Sequence, residues 1–351
     1  ELESGLINEL EYIPMGVVLS ISPWNYPLQL AIYSILPALI CGNAVIHKPS
    51  RNAPLVGLKL QSVFDQVLTK HSLALQTVIA TSEVVQKIIK DQIEMVTLIG
   101  STTAGKDIMR SASARLLNVA LELGGKDAFL VLEDADLKAA VKAAVSGSLK
   151  NTGQACNAVE RIYVPEALHG EFVRLIVEEV KKIKVGNPLD ETVTMGPLAL
   201  PEQRATVEQH IADALAKGAK LEYGGKRITG PGYFLEPTVL TRVNHTMEVM
   251  TKETFGPIVA IQTYHDIDEA ITLTNDNSYG LTASVWTRDM VRGKKIARRI
   301  HAGCVGINHL CRSHPGAPWG GVRQSGVGRM LGKGGLQAFC EIRNLRYATG
   351  K

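Results

Sequence analysis

From Met15 onward the apolar positions fall into two alternating rhythms. Short runs rich in β-branched residues, "MGVVLSI", "NAVIHKP", "LQTVIAT" and "MVTLIG", have the composition of strands. Longer segments with helical spacing separate them: "LQLAIYSILPAL", "PLVGLKLQSVFDQVLT", "SEVVQKIIKD" and "TTAGKDIMRSAS". Strands alternating with helices predict an α/β fold with a parallel, doubly wound sheet, whose ligands settle beyond the carboxyl ends of the strands. Residues 23–25, 48–51 and 100–101 each follow a strand-like run and are expected to line one cleft. A second alternating set opens at "KDAFLVLED" and runs through "LKAAVKAAVSGSLKNTG", "ERIYVP" and "LHGEFVRLIVEEVKKIK" to about residue 306. Between the sets lies "LELGGK", a Gly-paired stretch that reads as a hinge at a domain junction.

With 351 residues, 45% of them hydrophobic, the chain is long enough for two cored domains. The apolar stretch "LAIYSILPALICG" is too short to span a bilayer and contains Pro37, so it is read as a buried helix. The acidic start "ELESGLINELE" lacks the apolar core of a signal segment, and a soluble protein is expected. Net charge is +4, with basic residues scattered except in clusters such as "RGKKIARR", which reads as the solvated face of a helix. No aromatic interleaving accompanies that cluster, so nucleic acid is not expected as a partner. The five cysteines, Cys41, Cys156, Cys304, Cys311 and Cys340, include no C-x-x-C spacing and suggest neither a disulfide framework nor a zinc site. A reducing, cytoplasmic setting and no metal are expected.

The stretch "GSTTAGKDIM" has the G-x-x-x-x-G-K spacing of a triphosphate-binding loop, but Asp107 stands where a magnesium-ligating hydroxyl is needed. It equally reads as a tight strand-to-helix turn with Ser101 or Thr102 as cap. Either way a helix opening after Gly100 presents unpaired N–H groups and a positive dipole end, suited to a phosphate-bearing ligand. Cys156, in "NTGQACNAVE", is flanked by small and polar residues between a helix and a strand, which makes it either an inert thiol or a nucleophile. Glu122 in "LELGGK", taken alone, reads as a surface charge.

Taken together, the motifs "PWNYPL", "HKPS", "GSTTAGKDI", "LELGGKDAFLVLEDADL", "NTGQAC", "MGPL", "GYFLEPTVL", "KETFGPIVAI", "NDNSYGLTASVWT" and "PWGGVRQSGVGR" resemble, in order, those of the aldehyde dehydrogenase superfamily. The resemblance covers about residues 15–345, and Glu122 and Cys156 stand 156 − 122 = 34 positions apart, the family's usual separation. It implies NAD(P)-dependent oxidation of an aldehyde to its acid. Cys156 would be the nucleophile, Asn25 with the Cys156 backbone N–H would hold the oxyanion, and Glu122 would activate water. Lys48 matches the adenosine-ribose contact, Gly100 and Ser101 the pyrophosphate turn, and Glu253 the nicotinamide-ribose contact. Trp24, Ser50, Arg51 and Phe255 complete the expected cofactor contacts.

The resemblance also implies the organisation. Residues 15–123 would be a cofactor-binding domain, incomplete, with 325–339 packing back on it, and 124–324 a catalytic domain. Residues 1–14 and 340–351, both β-prone, would be arm strands that extend a neighbouring subunit's sheet in a homodimer or homotetramer. Two departures stand out. Relatives that prefer NAD often carry "KPSE", whereas this chain has "KPSR", so Arg51 is expected to admit NADP, or favour it, by meeting the 2′-phosphate. Only about a dozen residues precede "PMGVV", where relatives carry a long segment; uncovered apolar surface and weakened cofactor binding are expected. The competing reading is therefore an impaired relative acting as a structural or binding protein. Residues 309–321 match the loop lining the aldehyde entrance, where Arg312 could meet a substrate carboxylate. Tyr26 and Trp319 could instead wall an apolar or ammonium-bearing aldehyde.

Overall fold

The computed structural model describes residues 6–69, 71, 73–91 and 93–348. The parts of the expected arm at residues 1–5 and 349–351 lie outside the described residues. Two compact units are present: Glu1–Leu123 with Ser313–Gly320 and Gly326–Lys351, and Gly124–Arg312 with Gly321–Ser325.

In chain order the first stretch comprises β1 (Leu6–Pro14), β2 (Val17–Ser22), α1 (Pro27–Ile40), β3 (Ala44–Pro49), α2 (Pro54–Val67), β4 (Leu75–Thr77), α3 (Ser82–Asp91), β5 (Met95–Ile99), α4 (Thr102–Ser113) and β6 (Asn118–Glu122). The second unit follows with β7 (Asp127–Val131), α5 (Leu137–Leu149), β8 (Val159–Pro165), α6 (Glu166–Val180), α7 (Pro201–Ala216), β9 (Lys220–Tyr223) and β10 (Thr238–Thr241). It continues through α8 (Glu248–Thr251), β11 (Ile258–Tyr264), α9 (Ile267–Asn275), β12 (Thr282–Trp286), α10 (Met290–Ala297) and β13 (Cys304–Ile307). The chain then returns to the first unit as β14 (Gly326–Val327), α11 (Gly332–Gln337) and β15 (Cys340–Ala348).

In the first unit a six-stranded sheet has the order β14-β6-β5-β2-β3-β4. Its pairs are parallel except β14 on β6. All five residues of β5 are buried, as a strand covered on both faces requires. Proline opens α1 and α2 where its missing N–H costs nothing, and the Ser101 hydroxyl caps α4 by accepting from Ala104 N–H at 3.2 Å. The helix expected to be buried in "LAIYSILPALICG", residues 30–42, is buried along one stripe only: α1 buries Ala31, Ser34, Ile35 and Ala38, while Leu36 and Ile40 are exposed. A helix on a sheet face buries one stripe, and the sequence there is apolar beyond that stripe. β1 and β15 form a separate antiparallel ribbon.

In the second unit the sheet order is β13-β12-β7-β8-β11-β10-β9, with β9 antiparallel to β10 at one edge. Two apolar layers cover it. One gathers Leu130, Leu240, Ala260 and Val285 on one face, and the other gathers Phe129, Val131, Ile162 and Val259 on the opposite face. Among the described residues no helix is long and apolar enough to cross a membrane. The basic run at residues 292–299 lies on α10 and just beyond it, with Lys294, Lys295, Arg298 and Arg299 exposed, as a solvated face should be.

Candidate active site

In the first unit the neighbouring parallel strands β3, β2, β5 and β6 end at Pro49, Ser22, Ile99 and Glu122. Residues 23–25, 48–51 and 100–101 therefore gather at one carboxyl edge of a single sheet, as the strand rule predicts. Gly100 N–H donates to the Glu122 carbonyl at 2.9 Å, tying the opening of α4 to the end of β6. Gly105 explains the second glycine of the G-x-x-x-x-G-K spacing. A Cβ there would lie 2.7 Å from the Leu123 methyls, so the residue permits close packing of helix on strand. Lys106 is exposed and Asp107 pairs with Arg110, an arrangement unlike a triphosphate cradle.

Lys48 is half-buried, and burial together with the charge of Arg51 lowers its pKa. Arg51 itself is exposed. His47, beside Lys48, is buried and shares hydrogen bonds with Ser22 and Thr77 at 2.9 and 3.4 Å; desolvation, aided by Lys48, lowers it to about 4, so it is neutral at physiological pH. Trp24, Asn25 and Tyr26 are half-buried in the bend between β2 and α1.

Glu122 is 5% exposed, and its Oε2 is buried with no hydrogen-bond partner among the described residues. Burial raises its pKa well above the ordinary carboxylate range, with the charge of Arg329 acting the other way. Gly320 is forced here, since a Cβ would sit 2.6 Å from Glu122 Oε1 at a φ of +154°. An orphaned carboxylate oxygen in a dry site is costly unless it has work to do. Trp319, half-buried, exchanges backbone hydrogen bonds with Met330 in the same unit.

In the second unit Cys156 sits in the turn after α5, at the amino end of β8 rather than at a carboxyl end. The strand rule that located the first-unit residues does not locate this one. Three consecutive residues before it, Asn151, Thr152 and Gly153, have positive φ. Such strain in two non-glycine residues persists only where the surroundings fix it. The Thr152 hydroxyl donates to Gly196 O at 3.0 Å, Gln154 accepts from Ala199 N–H at 2.8 Å, and a Cβ on Gly153 would lie 2.1 Å from Gly256 O.

The boundary between the two units falls between Leu123 and Gly124, inside the stretch read as a junction. A Cβ on Gly124 would lie 2.3 Å from the Glu253 carboxylate, and one on Gly125 would lie 2.3 Å from the Cys156 carbonyl. Gly125 N–H also donates to Glu253 Oε1 at 3.0 Å. The glycines are thus close-approach residues that bring Glu253 and the Cys156 backbone to one segment. Desolvation, followed by the charge of Glu160, pushes Glu253 up to about 8. Phe255 is half-buried with φ +52°, and Arg312 is exposed.

The sequence reading missed the residues that hold this arrangement. Lys126 and Glu160 form an ion pair with side chains 0% and 5% exposed. Glu160 accepts the N–H groups of Thr254 and Phe255 at 2.8 and 2.9 Å, and Lys126 also donates to the Thr254 hydroxyl at 3.0 Å. Arg161, equally buried, donates to the carbonyls of Lys126, Leu273 and Thr274. The available signal was "VERIYV", two adjacent charges in an otherwise apolar strand, which a sheet covered on both faces tolerates only if each finds a partner.

The Aldehyde dehydrogenase family model matches residues 2–345. Betaine aldehyde dehydrogenase of Bacillus subtilis is 37% identical over 99% of this chain and 71% of its own length. An NADP(+) succinate-semialdehyde dehydrogenase of Mycobacterium avium is 38% identical over 97% of this chain and 72% of its own. The crystal structure of Staphylococcus aureus betaine aldehyde dehydrogenase in complex with NAD+ superimposes with a TM-score of 0.95 at 34% identity, covering 100% of this chain and 70% of that one.

Glu160→Ala strands the buried Lys126 ammonium and two amide donors, and should cost about 3–5 kcal/mol. Thermal denaturation should show a midpoint lowered by roughly 6 °C or more. A midpoint within about a degree of the parent would contradict the role given to the pair.

Proposed function

The chain belongs to the aldehyde dehydrogenase family, and on that premise we propose that it oxidises an aldehyde to the carboxylic acid with NAD or NADP, through a thioester on Cys156 that Glu122-activated water hydrolyses. The observation that carries the reading is the unpartnered, buried Glu122 oxygen with its raised pKa, since a base for water must be dry and must keep a lone pair free of protein donors.

The Cys156 thiolate attacks the carbonyl carbon, and the π pair moves to oxygen. The Asn25 side-chain amide and the Cys156 backbone N–H donate to that oxyanion. NAD or NADP, when bound, supplies the hydride acceptor through which the Cys156 thiohemiacetal becomes a thioester. Glu122 then takes a proton from water, the hydroxide oxygen adds to the thioester carbon, and Cys156 leaves as thiolate.

The residues present fit a dinucleotide. The N-terminus of α4 at Gly100 and Ser101 offers amide donors and a positive dipole end to a pyrophosphate. Lys48, with Ser50, serves the adenosine ribose. Glu253, whose carboxylate is held by Gly125, accepts from the nicotinamide ribose, and Trp24 and Phe255 complete the contacts. Arg51, exposed and close enough to Lys48 to lower its pKa, is a cation that would meet a 2′-phosphate, and this supports acceptance of NADP. Arg312 offers a cation to a substrate carboxylate, while Tyr26 and Trp319 contribute apolar wall. The β1–β15 ribbon exposes Leu10, Tyr12, Ile342 and Tyr347, and such a two-stranded ribbon gains stability by joining another subunit, in a homodimer or homotetramer.

Cys156→Ala should abolish aldehyde-dependent reduction of either dinucleotide. Glu122→Gln should keep a single-turnover burst and lose roughly 10²–10⁴-fold in steady-state kcat. In the parent, kcat should climb with pH beyond the ordinary carboxylate range, because the base works only when ionised and burial delays its ionisation; the glutamine variant should lack that limb. A Glu122→Gln enzyme with unchanged kcat would refute the assignment.

For the cofactor, kcat/KM with NADP should equal or exceed that with NAD. Arg51→Glu should lower the NADP value roughly 10- to 100-fold, the worth of a charge-assisted hydrogen bond. A strong NAD preference in the parent enzyme would defeat the Arg51 reading.

Arg312→Leu should raise KM for carboxylate-bearing aldehydes about tenfold or more while sparing neutral ones. Equal changes for both would remove Arg312 from substrate recognition.

A further inference from the structure

Two cysteines outside the catalytic set come together in the second unit. Cys304 opens β13, the edge strand, and Cys311 lies beyond the turn that follows it. Their sulfurs are 2.7 Å apart, inside non-bonded contact and roughly 0.7 Å beyond the length of a disulfide bond. The turn between them is pinned. Asn308 has φ +52°, donates its backbone N–H to Val285 O at 2.9 Å, and exchanges side-chain bonds with Thr287 at 2.9 and 2.7 Å. Gly306 makes the reversal possible, because a Cβ there would lie 2.0 Å from His309 O.

The two thiols are unequal. Cys304 is half-buried, and its hydrogen bond with Cys311 lowers its pKa to about 7; Cys311 is 7% exposed, and the same partner together with burial raises it. A half-buried sulfur that ionises near neutrality, beside a more buried sulfur held in reach, is the arrangement of an attacking and a resolving thiol. Nothing in the proposed aldehyde chemistry uses either residue.

We propose that Cys304 and Cys311 are a redox modification site, closing a reversible intrachain disulfide when a low-molecular-weight disulfide such as oxidised glutathione is the oxidant. Cys304 thiolate attacks one glutathione sulfur, forming a mixed disulfide and releasing one glutathione thiolate, which takes up a proton. Cys311 then loses its proton, attacks the Cys304 sulfur, and expels the second glutathione. Two protein thiols are oxidised by two electrons, and one disulfide is reduced to two thiols. The closed ring tethers the segment whose Cys311 carbonyl accepts from Asn157 Nδ2 at 3.0 Å, so the modification reaches the neighbour of Cys156.

Trypsin releases residues 300–312, "IHAGCVGINHLCR", as one peptide that holds both cysteines and excludes Cys156, Cys41 and Cys340. The full chain is incubated with excess oxidised glutathione, alkylated with iodoacetamide under denaturing conditions, digested and weighed. The expected result is a peptide lighter by two hydrogens with both alkylation sites lost, restored to double alkylation by dithiothreitol. Cys311→Ser should instead accumulate glutathione on Cys304. A parent peptide that stays doubly alkylated, or that stops at the glutathione adduct, would overturn the proposal, as would a Cys311→Ser variant without the adduct.

Discussion

The buried pair of Lys126 and Glu160 is the constraint from which the second unit's candidate site follows. Neither charge reaches water, so each is stable only while the other stays in place. Glu160 lies on the central strand β8, and its two oxygens accept the backbone of residues 254 and 255, which leads into the neighbouring β11. Lys126 immediately precedes the strand on the other side, β7. One ion pair therefore fixes the approach to three strands at their amino ends. Glu253 and the turn bearing Cys156 are both attached to those approaches.

Close approach does the rest. Glu253 rests against Gly124, the Cys156 carbonyl against Gly125, and Gly256 against Gly153. Each contact puts a polar backbone or carboxylate atom where any other residue would place a Cβ. The left-handed backbone at Asn151 and Thr152 completes the turn, at a cost of order 1–3 kcal/mol each that the neighbouring hydrogen bonds offset. In the first unit the analogous device is Gly320, which leaves room for the dry carboxylate of Glu122.

The alternation of strands and helices was legible from Met15 onward, since buried parallel strands and one-faced helices impose different periods. α4, "TTAGKDIMRSAS", coincides with its sequence reading at residues 102–113 because Ser101 caps it and Gly100 ends the strand before it. β6 was not singled out: "NVALE" is short, and its significance depends on β5 and β14 lying beside it. "LQTVIAT" yields only a three-residue strand, since β4 is an edge with one neighbour. The buried network of Lys126, Glu160 and Arg161 was invisible to a reading that treats charges as surface, and its partners come from residues about 34 to 128 positions away. The proximity of Cys304 to Cys311 depends on a turn set by Gly306 and Asn308, which spacing alone does not disclose.

The chemistry assigned to Cys156 has one direct physical trace, the acyl group it must carry during turnover. Rapid mixing of the enzyme with an oxidisable aldehyde and NAD or NADP, followed by acid quench and peptide mass analysis, reads that trace. An acyl mass is expected on residues 151–161, placed by fragmentation on Cys156 and absent when the dinucleotide is omitted. Acid product formed with the acyl mass on a different residue, or with none on the protein at any mixing time, would contradict it.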